Sequence, residues 1–191
     1  ADSLSAMTNV ANDNRALLAY YSSYEGNDRT SGNDTRIFPT QFDKVQFGLD
    51  YRFQHDGGKT GFSYHNVETD DSGTPALAMD IQYIDADRLD LSGDFKYDRW
   101  TFDWALGYLS SDHGMTNFHF RPNPDPARFR RTVAAADTVD FKLHAETQMG
   151  VGTLLVGIDG YLADHDAVLT NPNNPAFRIH NFNDVEDNRI G

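Results

Sequence analysis

The sequence predicts an all-β chain, an antiparallel meander of about seven to eight strands from a transmembrane β-barrel, too few to close the barrel. Three observations carry this expectation. Apolar and polar residues alternate with a period of two over long stretches. Aromatics make up 13% of the chain although mean hydropathy is -0.61, which suits strands that are apolar on one face only. The connections between strands alternate short and long, as in barrels with tight turns at one end and long loops at the other.

Taken in order, the first strand is expected at Ala16–Tyr24. In Val45–Phe53 the odd positions are Val45, Phe47, Leu49, Tyr51 and Phe53, against Gln46, Gly48, Asp50 and Arg52. Lys59–Val67 is a weaker strand. Leu89–Tyr97 sets Leu89, Leu91, Phe95 and Tyr97 against Asp90, Ser92, Asp94 and Lys96. Trp100–Tyr108 puts Trp100, Phe102, Trp104, Leu106 and Tyr108 on one face. Val139–Thr147 alternates Val139, Phe141 and Leu143 with Asp140, Lys142 and His144, and Thr153–Ala163 follows. Pro172–Gly191 has room to begin another strand. The clearest strands are about nine residues long, close to the length that crosses a bilayer at a tilt.

The short connections are His55–Lys59, Asp98–Arg99 and Gly150–Gly152. The long polar ones are Glu25–Gln41, Glu68–Ala78, Asp112–Arg131 and Asp164 onward. A soluble β-sandwich also alternates, but long loops gathered at one end are uncommon in compact soluble domains. A barrel wall open at both edges implies further strands, because unpaired backbone cannot face lipid. Residues 1–191 therefore read as one segment. The chain also begins without Met, so it is either processed or part of something longer.

Charge and composition exclude several classes. A net charge of -13 argues against a nucleic-acid partner, and Arg128, Arg130 and Arg131 form a short basic cluster in a loop. The absence of Cys removes thiolate chemistry and Cys-based zinc sites. No apolar run approaches a transmembrane helix, and Ala1–Asn14 lacks the features of a signal peptide. No G-x-S-x-G or H-E-x-x-H occurs, and Gly58-Lys59-Thr60 lacks the upstream glycine of a phosphate loop. The reading is non-enzymatic. The acidic groups Asp70-Asp71, Asp85 with Asp87, Asp164 with Asp166, and Asp184 with Glu186-Asp187 read as solvated loops rather than calcium sites.

Two Met-containing stretches carry a resemblance: Thr74-Pro75-Ala76-Leu77-Ala78-Met79-Asp80 and Asp112-His113-Gly114-Met115-Thr116-Asn117-Phe118. With the strand ending Lys142-Leu143-His144-Ala145-Glu146, the segment Gly73–Glu146 resembles TonB-dependent outer-membrane receptors of the copper-receptor type. The resemblance implies a barrel of about 22 strands, a plug inside it and a TonB box. Nothing here resembles the plug or the box. It also implies import of copper or a metal chelate, with outer-membrane lipid and the TonB system as partners. Barrel methionines near the outer face help bind copper in that family, and the matching positions are Met79 and Met115. The family's other copper ligands lie in the plug.

Thioethers are soft ligands suited to Cu(I), and imidazole also suits copper. His113 and His119 flank Met115, so the candidate metal ligands are Met79, Met115, His113 and His119. If Asp98 and Arg99 form a tight turn, Met115 lies opposite Gln82 and Met79 opposite Phe118, roughly 10 Å apart along the strands. Parity then sends Met79 outward and Met115 to the lumen. A bulge between Met79 and Leu89 would bring them to one face. An iron-siderophore is the alternative cargo, and a soluble β-sandwich binding or adhesion module the alternative class.

Overall fold

Alternation becomes nine long strands hydrogen-bonded edge to edge in chain order. The computed structural model describes the backbone of residues 1–191 and every side chain except those of Asn183 and Asp184. The main sheet contains β1 (Asp2–Ala11), β2 (Arg15–Gly26), β5 (Phe42–His55), β6 (Gly58–Ser72), β7 (Asp80–Tyr97), β8 (Trp100–Thr116), β9 (Arg131–Met149), β10 (Gly152–Asn171) and β11 (Asn174–Ile190). Two short strands, β3 (Arg29–Thr30) and β4 (Arg36–Ile37), pair inside the β2–β5 connection. All pairings are antiparallel. The sheet is open, with β1 and β11 at its edges. Among the described residues no second sheet of comparable size packs on it, so the sandwich alternative is not what forms.

The tight turns fall where the sequence places them. Tyr97 pairs with Trp100 across Asp98 and Arg99, and Asp98 takes φ +52°. Gly57 (φ +91°) and Gly150 (φ +62°) turn the β5–β6 and β9–β10 hairpins. Two-residue hairpin turns need positive φ to match strand twist, and Gly or Asp supplies it at low cost.

Several expected boundaries are corrected. β1 was not expected, because its apolar positions, Leu4, Ala6 and Val10, are sparse. The expected loops Glu68–Ala78 and Asp112–Arg131 are partly strand: β6 runs to Ser72, β7 starts at Asp80, β8 reaches Thr116, and β9 begins at Arg131. The stretch from Asp164 onward is no loop at all. It completes β10, turns at Pro172 and Asn173, and returns as β11. Apolar alternation marks only the strand portion with an apolar face. Beyond it the ladder continues through backbone bonds with polar and apolar side chains mixed on both sides, which blurs the alternation.

One face carries the aromatic and aliphatic positions. In a single rung Leu91, Leu106, Phe141 and Gly160 lie side by side. These residues stay uncovered, Leu106 and Leu143 each at 47% exposure. Above the band this same face turns acidic. Asn66, Asp87, Ser110, Asp137, Asp164 and Glu186 form one rung, and Glu68, Asp85 and Asp112 the next. Tyr64 Oη donates to Asp87 (2.5 Å) and Tyr108 Oη to Asp137 (2.7 Å) at the border. The acidic residues expected in loops thus sit mostly on strands. The side chain of Asp184 lies outside the described residues.

The opposite face is polar and internally paired. Arg88 bridges Asp90 (2.6 Å) and Asp140 (3.1 Å), Lys142 pairs with Asp103, and Tyr20 Oη meets His65 Nδ1 at 3.0 Å.

The β2–β5 connection is held by one carboxylate. Asp28, with its side chain 3% exposed, accepts from Thr40 N (2.6 Å), Gln41 N (3.0 Å) and Arg36 Nε (2.8 Å). Burial alone would raise its pKa, but the Thr40, Arg36 and Gln41 bonds outweigh burial and hold it below the usual carboxylate range. Asp28 therefore stabilises the connection fully above the unfolded carboxylate pKa, and the contribution fades as pH falls through the depressed native value. Protection of the Thr40 and Gln41 amides, measured relative to their intrinsic exchange, should fall only in acid, and Asp28→Ala should lower it already at pH 7.

Candidate metal centre

Of the four candidate ligands, Met79, Met115 and His113 lie at the far end of the sheet from the tight turns, toward the polar face. The β7–β8 ladder keeps one register from Tyr97↔Trp100 to Tyr83↔Gly114, then shifts so that Ile81 faces Met115. Gln82 is the extra residue. Opposed residues share a face, so this bulge reverses the parity of β7 and puts Ile81 on the side of Met115. It is the feature that the alternation required if both methionines were to share a face, and it changes the expected partner of Met115 from Gln82 to Ile81.

Met79 lies in the bend just before β7, and the Thr132 hydroxyl approaches its Sδ at 3.7 Å. Thr132 is the cross-strand partner of Met115, which puts their Cβ atoms about 5 Å apart. Met79 Sδ and the residue Met115 therefore both lie beside Thr132. His113, two positions from Met115, projects to the same face. Its cross-strand neighbours are Ile84 and Ala134, which offer no hydrogen bond. Its Nε2 is buried and unpartnered. His113 lies about 16 Å along the strand beyond Tyr108, the last aromatic residue of the apolar band. Burial lowers its pKa from the ordinary histidine value, which favours the neutral imidazole that binds metals.

His119 does not join this group. Its Nε2 lies 3.4 Å from Asp71 Oδ1 and its ring packs edge-on against Phe120 at 4.5 Å. A carboxylate partner and a place in the β8–β9 connection draw it aside. Among the described residues no three His, Asp or Glu side chains gather as a group that could hold a metal ion, and the candidate donors are two thioethers and one imidazole. That set prefers a soft ion over calcium or magnesium.

Sequence reasoning missed Thr132, Gln82, Asp80 and Arg121. Thr132 sits far along the chain and reaches the site only through strand pairing. Asp80 is fully buried and pairs with Arg121 at 2.7 Å. Its place beside Met79 was the available signal. The β8–β9 connection is itself a built structure: Phe118 stacks on Phe129 at 4.5 Å, Asp125 caps a short 3₁₀ turn at Pro126–Arg128, and Asn171 of β10 donates to Pro126 O and Ala127 O, both at 3.1 Å.

No family model matches the chain, and no curated protein matches it. Among solved structures, Copper transporter OprC is similar, with a TM-score of 0.74 at 16% identity over 98% of this chain. The chain spans 32% of the OprC chain. At that identity the likeness is one of fold, and the fold is an all-β antiparallel meander of the β-barrel-wall kind, left open in this chain.

Proposed function

We propose that residues 1–191 form part of the wall of a TonB-dependent outer-membrane receptor that imports copper, with Met79, Met115 and His113 as wall ligands for Cu(I) in transit. The convergence of Met79 and Met115 on Thr132, made possible by the bulge at Gln82, carries this reading. The likeness of fold to a copper transporter supports it. The uncovered aromatic face would meet lipid, the polar face would meet a plug that couples to TonB, and neighbouring strands would pair with β1 and β11. The role is transport, not catalysis.

The reading is tested by Cu(I) competition titrations of the purified receptor in detergent. Met79→Ala and Met115→Ala should each weaken Cu(I) binding by roughly tenfold or more, since each removes a soft donor from a small set. His119→Ala should leave binding unchanged. Unaltered affinity in both Met variants, with retained binding of a ferric chelate, would point to a siderophore cargo instead.

A further inference from the structure

Met79 poses a physical problem for the copper reading. It stands outside the strand ladder, and methionine is unbranched and flexible. A thioether placed this way is a poor ligand unless something fixes its backbone. The fixing groups come from the next connection. Arg121, between β8 and β9, reaches back with its whole guanidinium. Nε donates to Asp80 Oδ2 (2.7 Å) and Nη2 to Asp80 Oδ1 (2.8 Å). Nη1 donates to Leu77 O (2.5 Å) and Nη2 also to Thr74 O (2.6 Å). Asp80 Oδ1 in turn accepts from Thr74 N at 2.8 Å, and the Thr74 hydroxyl donates to Met79 O. One planar cation thus binds the carbonyls before Met79 and the carboxylate after it.

We propose that Arg121 is the positioning residue for the Met79 thioether, a clasp between the β6–β7 and β8–β9 connections that sets Met79 beside Thr132 and Met115. The proposal rests on the copper reading and deepens it. A fork is required, because only a guanidinium offers several N–H groups in fixed directions at once. A lysine would keep the charge but satisfy fewer acceptors. The clasp also links the β8–β9 connection to the site: any movement of that connection displaces Arg121 and with it the bend that carries Met79.

The test uses the full receptor in detergent and a double-mutant cycle. Arg121→Ala should lower Cu(I) affinity about as much as Met79→Ala, in the range of about tenfold seen for groups that orient a ligand. Adding Arg121→Ala to Met79→Ala should cost nothing further. Arg121→Lys should fall between. A second readout needs no metal: methionine oxidation by dilute peroxide, followed peptide by peptide. Met7 and Met149, exposed at 76% and 56%, serve as internal references. Arg121→Ala should speed oxidation of Met79 and leave Met7 and Met149 unchanged. The proposal is overturned if Met79 oxidises at the same rate in both proteins, or if the double variant loses affinity beyond Met79→Ala alone. Loss of the copper reading is seen separately, as normal Cu(I) binding by Met79→Ala while the oxidation effect of Arg121→Ala persists.

Discussion

Leu106→Arg should weaken folding into a bilayer by about 2–4 kcal/mol, whereas Ser92→Arg should change it little. Leu106 sits in the middle of the uncovered rung between Leu91 and Phe141. If that face meets hydrocarbon, a guanidinium there must be dehydrated or must drag water inward. Ser92 is on the polar face, between Gly61 and Ala105 and in the same recess as Asp94 and Asp103, where a cation finds partners. Urea unfolding from lipid vesicles measures both. Equal effects from the two variants would sink the lipid-facing assignment, and so would a chain that stays monodisperse and melts cooperatively without detergent.

Asp80→Ala should be the most damaging single change among the polar residues of the site. Asp80 has 0% exposure and accepts two bonds from Arg121 and one from Thr74 N. Its hydrogen bond is also what raises the Arg121 pKa further, against the effect of desolvation. Removing it leaves the guanidinium, at 23% side-chain exposure, with carbonyl acceptors but no counter-charge. Partial exposure softens the penalty, so a cost of roughly 2–3 kcal/mol is expected. Limited proteolysis should then cut the segment before β7 and the β8–β9 connection faster than in the parent protein. An unchanged cleavage rate in Asp80→Ala would show that the two connections are held by something else.

The central strands were legible because their side chains report which face they occupy. Trp100 to Tyr108 alternates large apolar residues with small or polar ones, and the ladder begins at Trp100 as expected. What lay beyond was not legible. From Asp80 to Arg88 the residues are polar on both faces or mixed, yet they form strand because β6 and β8 offer backbone partners on either side. Hydrophobic pattern measures burial against an apolar phase, and it falls silent where the sheet continues in a polar one. For the candidate site the sequence offered residues and not geometry. Met79 and Met115 were picked out by the family resemblance and His113 by its place beside Met115, whereas the register that would put them on one face depends on one inserted residue. No local propensity distinguishes Gln82 from its neighbours as the place of a bulge. Arg121 was hidden for a different reason: its partners lie some forty residues upstream and involve backbone carbonyls, which leave no trace in side-chain pattern.

The order of strands in the main sheet has a kinetic consequence. Each strand pairs only with its neighbours in that order, so each hairpin can zip outward from its own connection, and at the tight turns the loop that must close before the first contact is short. Such a sheet can be assembled by successive hairpins, with Asp98, Gly57 and Gly150 each committing a register before the next strand arrives. The outermost strands then act differently from the rest. β1 and β11 each keep one edge without a strand partner in this sheet, so they are growing ends, competent to add a further strand or to capture a wrong one.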